Sequence, residues 1–194
     1  MPKTALLIMD LQNSIVSLVT HIMPPNYLQT ISSTIATARS HSIPILHITV
    51  KFRPGAPEIN PRNFSFGRNP TATGFLENDP ISSIHPSIAL EPSDIIIVKK
   101  RISAFTGSDL EVVLRSLGVQ EIVLCGVATS GVVLSTVREA ADKDYGIVVL
   151  RDGCLDGDEE VHRVLMEKVF VKQARVLEVG EWVAGLGEGK GVQE

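Results

Sequence analysis

The stretch Glu121–Asp144, EIVLCGVATSGVVLSTVREAADKD, restricts the fold more than any other part of the chain. It opens with Ile122–Cys125, a short apolar run rich in β-branched residues, which reads as a buried strand. Gly126 breaks that run. From Ser130 the apolar positions change period: Val132, Val133, Thr136, Val137, Ala140 and Ala141 fall three and four apart, as on one face of a helix. Thr129 or Ser130 can supply the N-cap. A strand, a glycine turn and a helix N-terminus aim backbone N–H groups and a positive dipole end at one spot. In an α/β protein that spot lies at the carboxyl edge of the sheet, where ligands bind.

The remaining segments repeat the alternation. Thr4–Met9 is an apolar strand ending in Asp10, with Gln12 and Asn13 just beyond. Asn26–His41 reads as a helix capped by Asn26, with Leu28, Ile31, Ile35 and Ala38 on one face. Strands follow at Ile45–Val50 and Ile95–Val98, then a helix at Asp109–Leu117 that stops at Gly118. After the opening stretch come a strand at Gly146–Leu150, an acid-capped helix from Asp158 to about Val169, and a strand at Ala174–Val179. Strands alternating with helices specify a three-layer α-β-α architecture, a Rossmann-like and mostly parallel sheet of about six strands. In the order 3-2-1-4-5-6 the first strand lies beside the fourth, bringing Asp10 and the Gly126–Val132 turn to one crevice. The same order leaves the second strand between Lys99 and that crevice. The chain reads as a single domain over residues 1–194, with the Gly-rich end from about residue 181 a frayed tail.

Composition excludes several partners. At 194 residues, 44% hydrophobic and 21% charged, the chain is long enough for one sizeable core. A net charge of −4 without a basic run argues against nucleic acid or an anionic membrane surface. No apolar run approaches the roughly 18 residues that span a bilayer, and Asp10 and Gln12 interrupt the one apolar stretch near the N-terminus. Cys125 and Cys154 have no metal-ligand spacing and read as reduced core thiols, hence a cytoplasmic protein. His47, inside a strand, reads as a packed or hydrogen-bonded imidazole rather than a ligand. Lys51–Pro92 is the least regular region and holds FRPGAPEINPRNFSF. It is read either as a pocket wall whose Arg53 or Arg62 meets a substrate carboxylate, or as a loop packed on a neighbouring subunit.

GVATSGVVLST resembles the signature of the isochorismatase-like (cysteine hydrolase) superfamily, roughly G-[VI]-A-T-x-x-C-V-x-x-T. IMDLQN, Ile8–Asn13, resembles the strand-one motif carrying that family's catalytic aspartate, which falls on Asp10. VKKRISAFTGSDL, Val98–Leu110, resembles the K-x-x-x-S-A-F-x-G-[ST]-x-L segment, whose catalytic lysine falls on Lys99. The three pieces stand in the family's order, and the resemblance covers about residues 4 to 180. One position departs: the nucleophilic cysteine is replaced by Val132.

The resemblance implies an isochorismatase-like fold, a small-molecule substrate, no cofactor and a homo-oligomer, dimer or tetramer. Nicotinamidases of the superfamily carry an Asp and several His as metal ligands in the irregular region. This chain has no His between His47 and His85, so no metal is expected. By position, Val127, Ala128 and Val132 form the oxyanion turn, with the Val127–Ala128 peptide cis. Gln12, Arg53, Arg62, Phe105, Thr129 and Ser130 are the candidate substrate contacts. Valine cannot attack a carbonyl, so a thioester route is unavailable at position 132. Family members that lack the cysteine cleave a vinyl ether, in which a carboxylic acid protonates the enol carbon and water adds to the oxocarbenium ion. On that reading Asp10 is the general acid and Lys99 stabilises charge or holds substrate. Its pKa is pulled two ways, upward by burial and downward by the Lys99 ammonium. Two alternatives stay open: a non-catalytic binding protein on the same fold, and an amidase with a displaced nucleophile.

Overall fold

The computed structural model describes residues 3–68 and 74–188. Its centre is a six-stranded parallel sheet of β1 (Thr4–Met9), β2 (Ile45–Val50), β3 (Ile95–Lys99), β4 (Glu121–Val127), β5 (Gly146–Leu155) and β6 (Arg175–Leu177), in the order β3-β2-β1-β4-β5-β6. The helices are α1 (Asn13–Val19), α2 (Tyr27–Ser40), α3 (Leu110–Ser116), α4 (Leu134–Asp142), α5 (Glu159–Val164) and α6 (Val179–Glu188). The central strands read as unbroken apolar runs because both faces are covered. Alternate residues face opposite layers. Ala5, Leu7 and Met9 pack with Leu114 of α3, Val137 of α4 and Val133 just before α4. Leu6 and Ile8 pack with Val16, Ile31, Ile35 and Trp182 of α1, α2 and α6. Among the described residues no helix is long and apolar enough to cross a membrane.

The structure departs from the sequence reading in four places. First, β5 does not stop at Leu150. Arg151-Asp152-Gly153 looks like a turn, yet it forms an irregularity in the β4–β5 ladder, after which pairing resumes at Gly126–Cys154 and Val127–Leu155. This extension carries Asp156 to the turn after β4. Second, α1 follows β1 directly, and its amphipathic pattern is too short to stand out. Third, the helix expected over 158–169 is α5 continued by a π-helical turn, Leu165–Val169, and a 3-10 turn, Phe170–Lys172. Fourth, residues 181–188 are helical rather than frayed. Val179, Trp182, Val183 and Leu186 form an i, i+3, i+4, i+7 stripe that docks on the α2 side of the sheet and outweighs the local glycines. The rest of the expected tail, residues 189–194, lies outside the described residues.

The irregular region has a small core of its own, Val50, Phe52 and Ala56, with Phe66 edge-on to Phe52 at 5.2 Å. It is tied to the carboxyl edge of β1. His85 donates its N–H to the Leu11 carbonyl (2.8 Å), Asn13 donates to Ser83 (2.9 Å), and Gln12 bridges to Ile84. The segment therefore covers the sheet beside Asp10.

Candidate active site

Asp10 follows the last residue of β1 with a φ of 57°. Its backbone N–H is held by the Ile48 carbonyl at 2.9 Å. The carboxylate lies 2.9 Å from the Lys99 ammonium, and both side chains are almost wholly buried, at 7% and 2% exposure. Strand order alone separates the two residues by an intervening β2. Their side chains close the gap by leaning toward one another over the end of β2, spanning the roughly 10 Å between next-but-one strands. The Lys99 ammonium also donates to the carbonyls of Arg101 and Ile102, each at 3.0 Å. An ammonium has three donors. All three have acceptors here, so Lys99 as it stands has no N–H directed at a substrate.

The other oxygen of Asp10, Oδ1, is buried without a hydrogen-bond partner among the described residues. Burial raises the Asp10 pKa, and the charge and hydrogen bond of Lys99 offset only part of that rise. The balance left open by the sequence falls on the side of desolvation.

Beside Asp10 runs the β4 turn, positioned by the Met9–Gly126 pairing. Gly126 has φ 138°, and a Cβ there would lie 2.0 Å from the Met9 carbonyl oxygen, so only glycine permits this approach. The Val127–Ala128 peptide is cis, as the resemblance implies. A π-helical turn over Thr129–Val133 then leads into α4. The Ala128 carbonyl accepts from the N–H of Gly131 (3.1 Å) and of Val133 (3.2 Å). Val132 is buried within the apolar cluster on the α3–α4 side.

The candidate substrate contacts are less well gathered. Gln12 is a structural brace: its Oε1 accepts the Val50 N–H at 2.8 Å, and its Nε2 donates to Val50 (3.1 Å) and Ser82 (2.6 Å). Arg53 is exposed and pairs with Glu58 at 2.8 Å, while Arg62 is exposed on the same loop. Neither arginine is brought to Asp10. Phe105 is buried against Tyr145, ring centroids 6.0 Å apart, as part of the core. Thr129 is fully buried, its hydroxyl 2.8 Å from His162 Nδ1. Ser130 donates its N–H to Asp156 Oδ2 at 2.6 Å. Gln12 and Arg53 thus already have partners within the chain, and Phe105 is packed in the core.

Three residues that shape this edge escaped the sequence reading. Asp156, nearly buried, holds the Ser130 N–H. His162 holds Thr129, and burial lowers its pKa, against the nearby Asp156 charge that raises it. Glu139, on the outward side of α4, accepts from Ser103 (2.6 Å) and Thr106 (3.0 Å). Only the extension of β5 past a turn-like Asp-Gly could have signalled the first two. His47, by contrast, is a buried imidazole hydrogen-bonded to Asp94 at 3.1 Å. Cys125 is buried, and burial pushes its thiol well up. Cys154 is pushed up to about 12 by the same cause. Among the described residues no three His, Cys, Asp or Glu side chains gather as a metal-binding group.

Fold and site together define a three-layer α/β protein with a buried acid–lysine pair at the carboxyl edge of its sheet, next to a helix-opening turn. Comparison with known proteins gives the family. Residues 4–181 match the isochorismatase domain. The chain is 31% identical over 169 residues to the isochorismatase family protein YwoC of Bacillus subtilis, covering 87% of this chain and 86% of that one. It is 28% identical over 211 residues to the ureidoacrylate amidohydrolase RutB of Methylobacterium radiotolerans, covering 95% and 80%. An isochorismatase family protein from Burkholderia thailandensis superposes with a TM-score of 0.84 at 26% identity, covering 96% and 97%. The chain belongs to the isochorismatase family of hydrolases.

Proposed function

We propose that this hydrolase acts on a small carboxylate-bearing molecule without a cysteine nucleophile, by vinyl-ether hydrolysis of the isochorismate type. The observation that carries the reading is the state of Asp10: buried, with one oxygen unpartnered among the described residues and a pKa raised despite the lysine 2.9 Å away. A carboxyl group in that condition holds a proton closer to neutral pH than an exposed aspartate does. In the proposed reaction the Asp10 proton goes to the terminal enol carbon, and the electron pair of the ether oxygen forms the oxocarbenium ion. Water adds to that ion and returns a proton to the Asp10 carboxylate. The hemiketal collapses to a keto acid and an alcohol.

Lys99, saturated by Asp10 and two carbonyls, acts on Asp10 rather than gripping substrate. The alternative of a displaced cysteine finds no support in the thiols, since both are buried and held protonated. The test is release of pyruvate from isochorismate and related enol ethers by the wild-type protein and by Asp10→Asn. Asp10→Asn should lose roughly 10²–10⁴-fold in rate, the usual contribution of a general acid. Full activity in Asp10→Asn, or ammonia release from amides with no reaction on enol ethers, overturns the reading.

A further inference from the structure

The pair Asp10–Lys99 is held by the loop after β3, and through that loop by Glu139, which lies outside the motifs that carry the resemblance. The loop after β3 supplies the Arg101 and Ile102 carbonyls that take two of the Lys99 N–H groups, at 3.0 Å each. That loop has no regular structure to hold its carbonyls in place. It is fastened instead to α4. Glu139 Oε2 accepts the Ser103 hydroxyl at 2.6 Å and the Thr106 hydroxyl at 3.0 Å. One turn away, Thr136 Oγ1 accepts the Ala104 N–H at 3.0 Å, and both partners are fully buried. Thr136 and Glu139 stand three apart, so they present one polar stripe to the loop. Among the described residues the charged group that pairs with Glu139 is Lys143, just past the end of α4, 4.0 Å away.

We propose that Glu139, with Thr136 beside it, is a positioning residue that sets the protonation of Asp10 by clamping the 101–106 loop whose carbonyls hold the Lys99 ammonium. The inference rests on Asp10 and Lys99 being the working pair, and its test needs no turnover. Loosening the clamp acts on Asp10 through the position of the ammonium. A freed ammonium moves away from Asp10, weakening the charge and hydrogen bond that lower the carboxyl's pKa. Lys99 is the charged group that acts on Asp10 among the described residues.

The experiment follows the protonated-carboxyl C=O stretch of Asp10 by infrared difference spectroscopy against pH in the full chain, with Asp10→Asn to identify the band. Glu139→Ala should move the Asp10 midpoint upward. Glu139→Gln, which keeps an oxygen acceptor for Ser103, should return it toward wild type. Ser103→Ala, a smaller change, should move it the same way as Glu139→Ala, and it serves if that variant fails to fold. A lowered melting temperature with the Asp10 midpoint unmoved in Glu139→Ala or Ser103→Ala overturns the proposal and leaves Glu139 a purely structural residue. Failure of the enol-ether chemistry would leave this titration result standing, so the two ideas fall separately.

Discussion

Replacing Gly126 by alanine probes the contact that brings the β4 turn up against Asp10. The backbone there has φ 138°, a conformation that is essentially confined to glycine. A Cβ would stand 2.0 Å from the Met9 carbonyl oxygen, 2.8 Å from its carbon and 2.9 Å from its Cα. These are backbone atoms of a central strand, flanked by β2 and β4, so no side chain can swing aside. Strain of this kind costs about 1–3 kcal/mol, and overpacking a rigid site adds roughly 1–3 kcal/mol. A loss of about 2–6 kcal/mol is large against a typical total of about 5–15 kcal/mol. For a chain of this size about 3 kcal/mol lowers the melting temperature by roughly 6–12 °C. Gly118→Ala is the control: its φ is also positive, at 68°, but among the described residues nothing lies within 4 Å of the added carbon. It should cost only the left-handed penalty of about 1–2 kcal/mol. The assay is thermal and urea unfolding of both variants by circular dichroism. Equal losses in the two would show that the close approach to Met9 is not what reserves this position for glycine.

Two further outcomes follow from the buried ionisable groups. Iodoacetamide should label neither Cys125 nor Cys154 in the folded protein at pH 7, because burial keeps both thiols neutral and shielded, and should label both in urea; fast native labelling, read by mass spectrometry, contradicts this. Burial raises the pKa of Asp94, but the Glu91 N–H, Arg39 and His47 outweigh it and the folded pKa lies below the ordinary value. The ionised carboxyl therefore contributes stability that is complete above the unfolded value of about 3.9 and drains away as pH falls through the lower folded value. Asp94→Asn should be less stable at pH 7 and lose less on acidification below about pH 4, as urea midpoints at several pH values will show; an unchanged acid limb refutes the assignment.

Much of the fold was legible because parallel strands buried on both faces leave unbroken apolar runs, and Ile45–Val50 and Thr4–Met9 fall where those runs lie. The order 3-2-1-4-5-6, common to six-stranded doubly wound sheets, is the one found, and it places Asp10 beside the β4 turn. Lys99 was visible only through the motif resemblance. Topology speaks of strand neighbours, whereas this contact depends on the reach of two side chains over β2. The extension of β5 was hidden because Asp152-Gly153 carries turn chemistry that tertiary packing overrides. The α6 helix was hidden by glycines whose propensity cost is outweighed by burial of Trp182. Glu139 left no mark, since a partly exposed glutamate on a helix reads as solvated until the loop it binds is placed in space.

The direct measurement of the central claim is the protonation midpoint of Asp10 in the wild-type protein, followed by carboxyl-selective infrared or carbon NMR titration. Burial outweighing the lysine predicts a midpoint above the ordinary aspartate value of about 3.9, and a further rise in Lys99→Met. A midpoint at or below that value would mean that Lys99 governs the pair. Asp10 would then be a fixed carboxylate at neutral pH, unable to donate the proton on which the proposed chemistry depends.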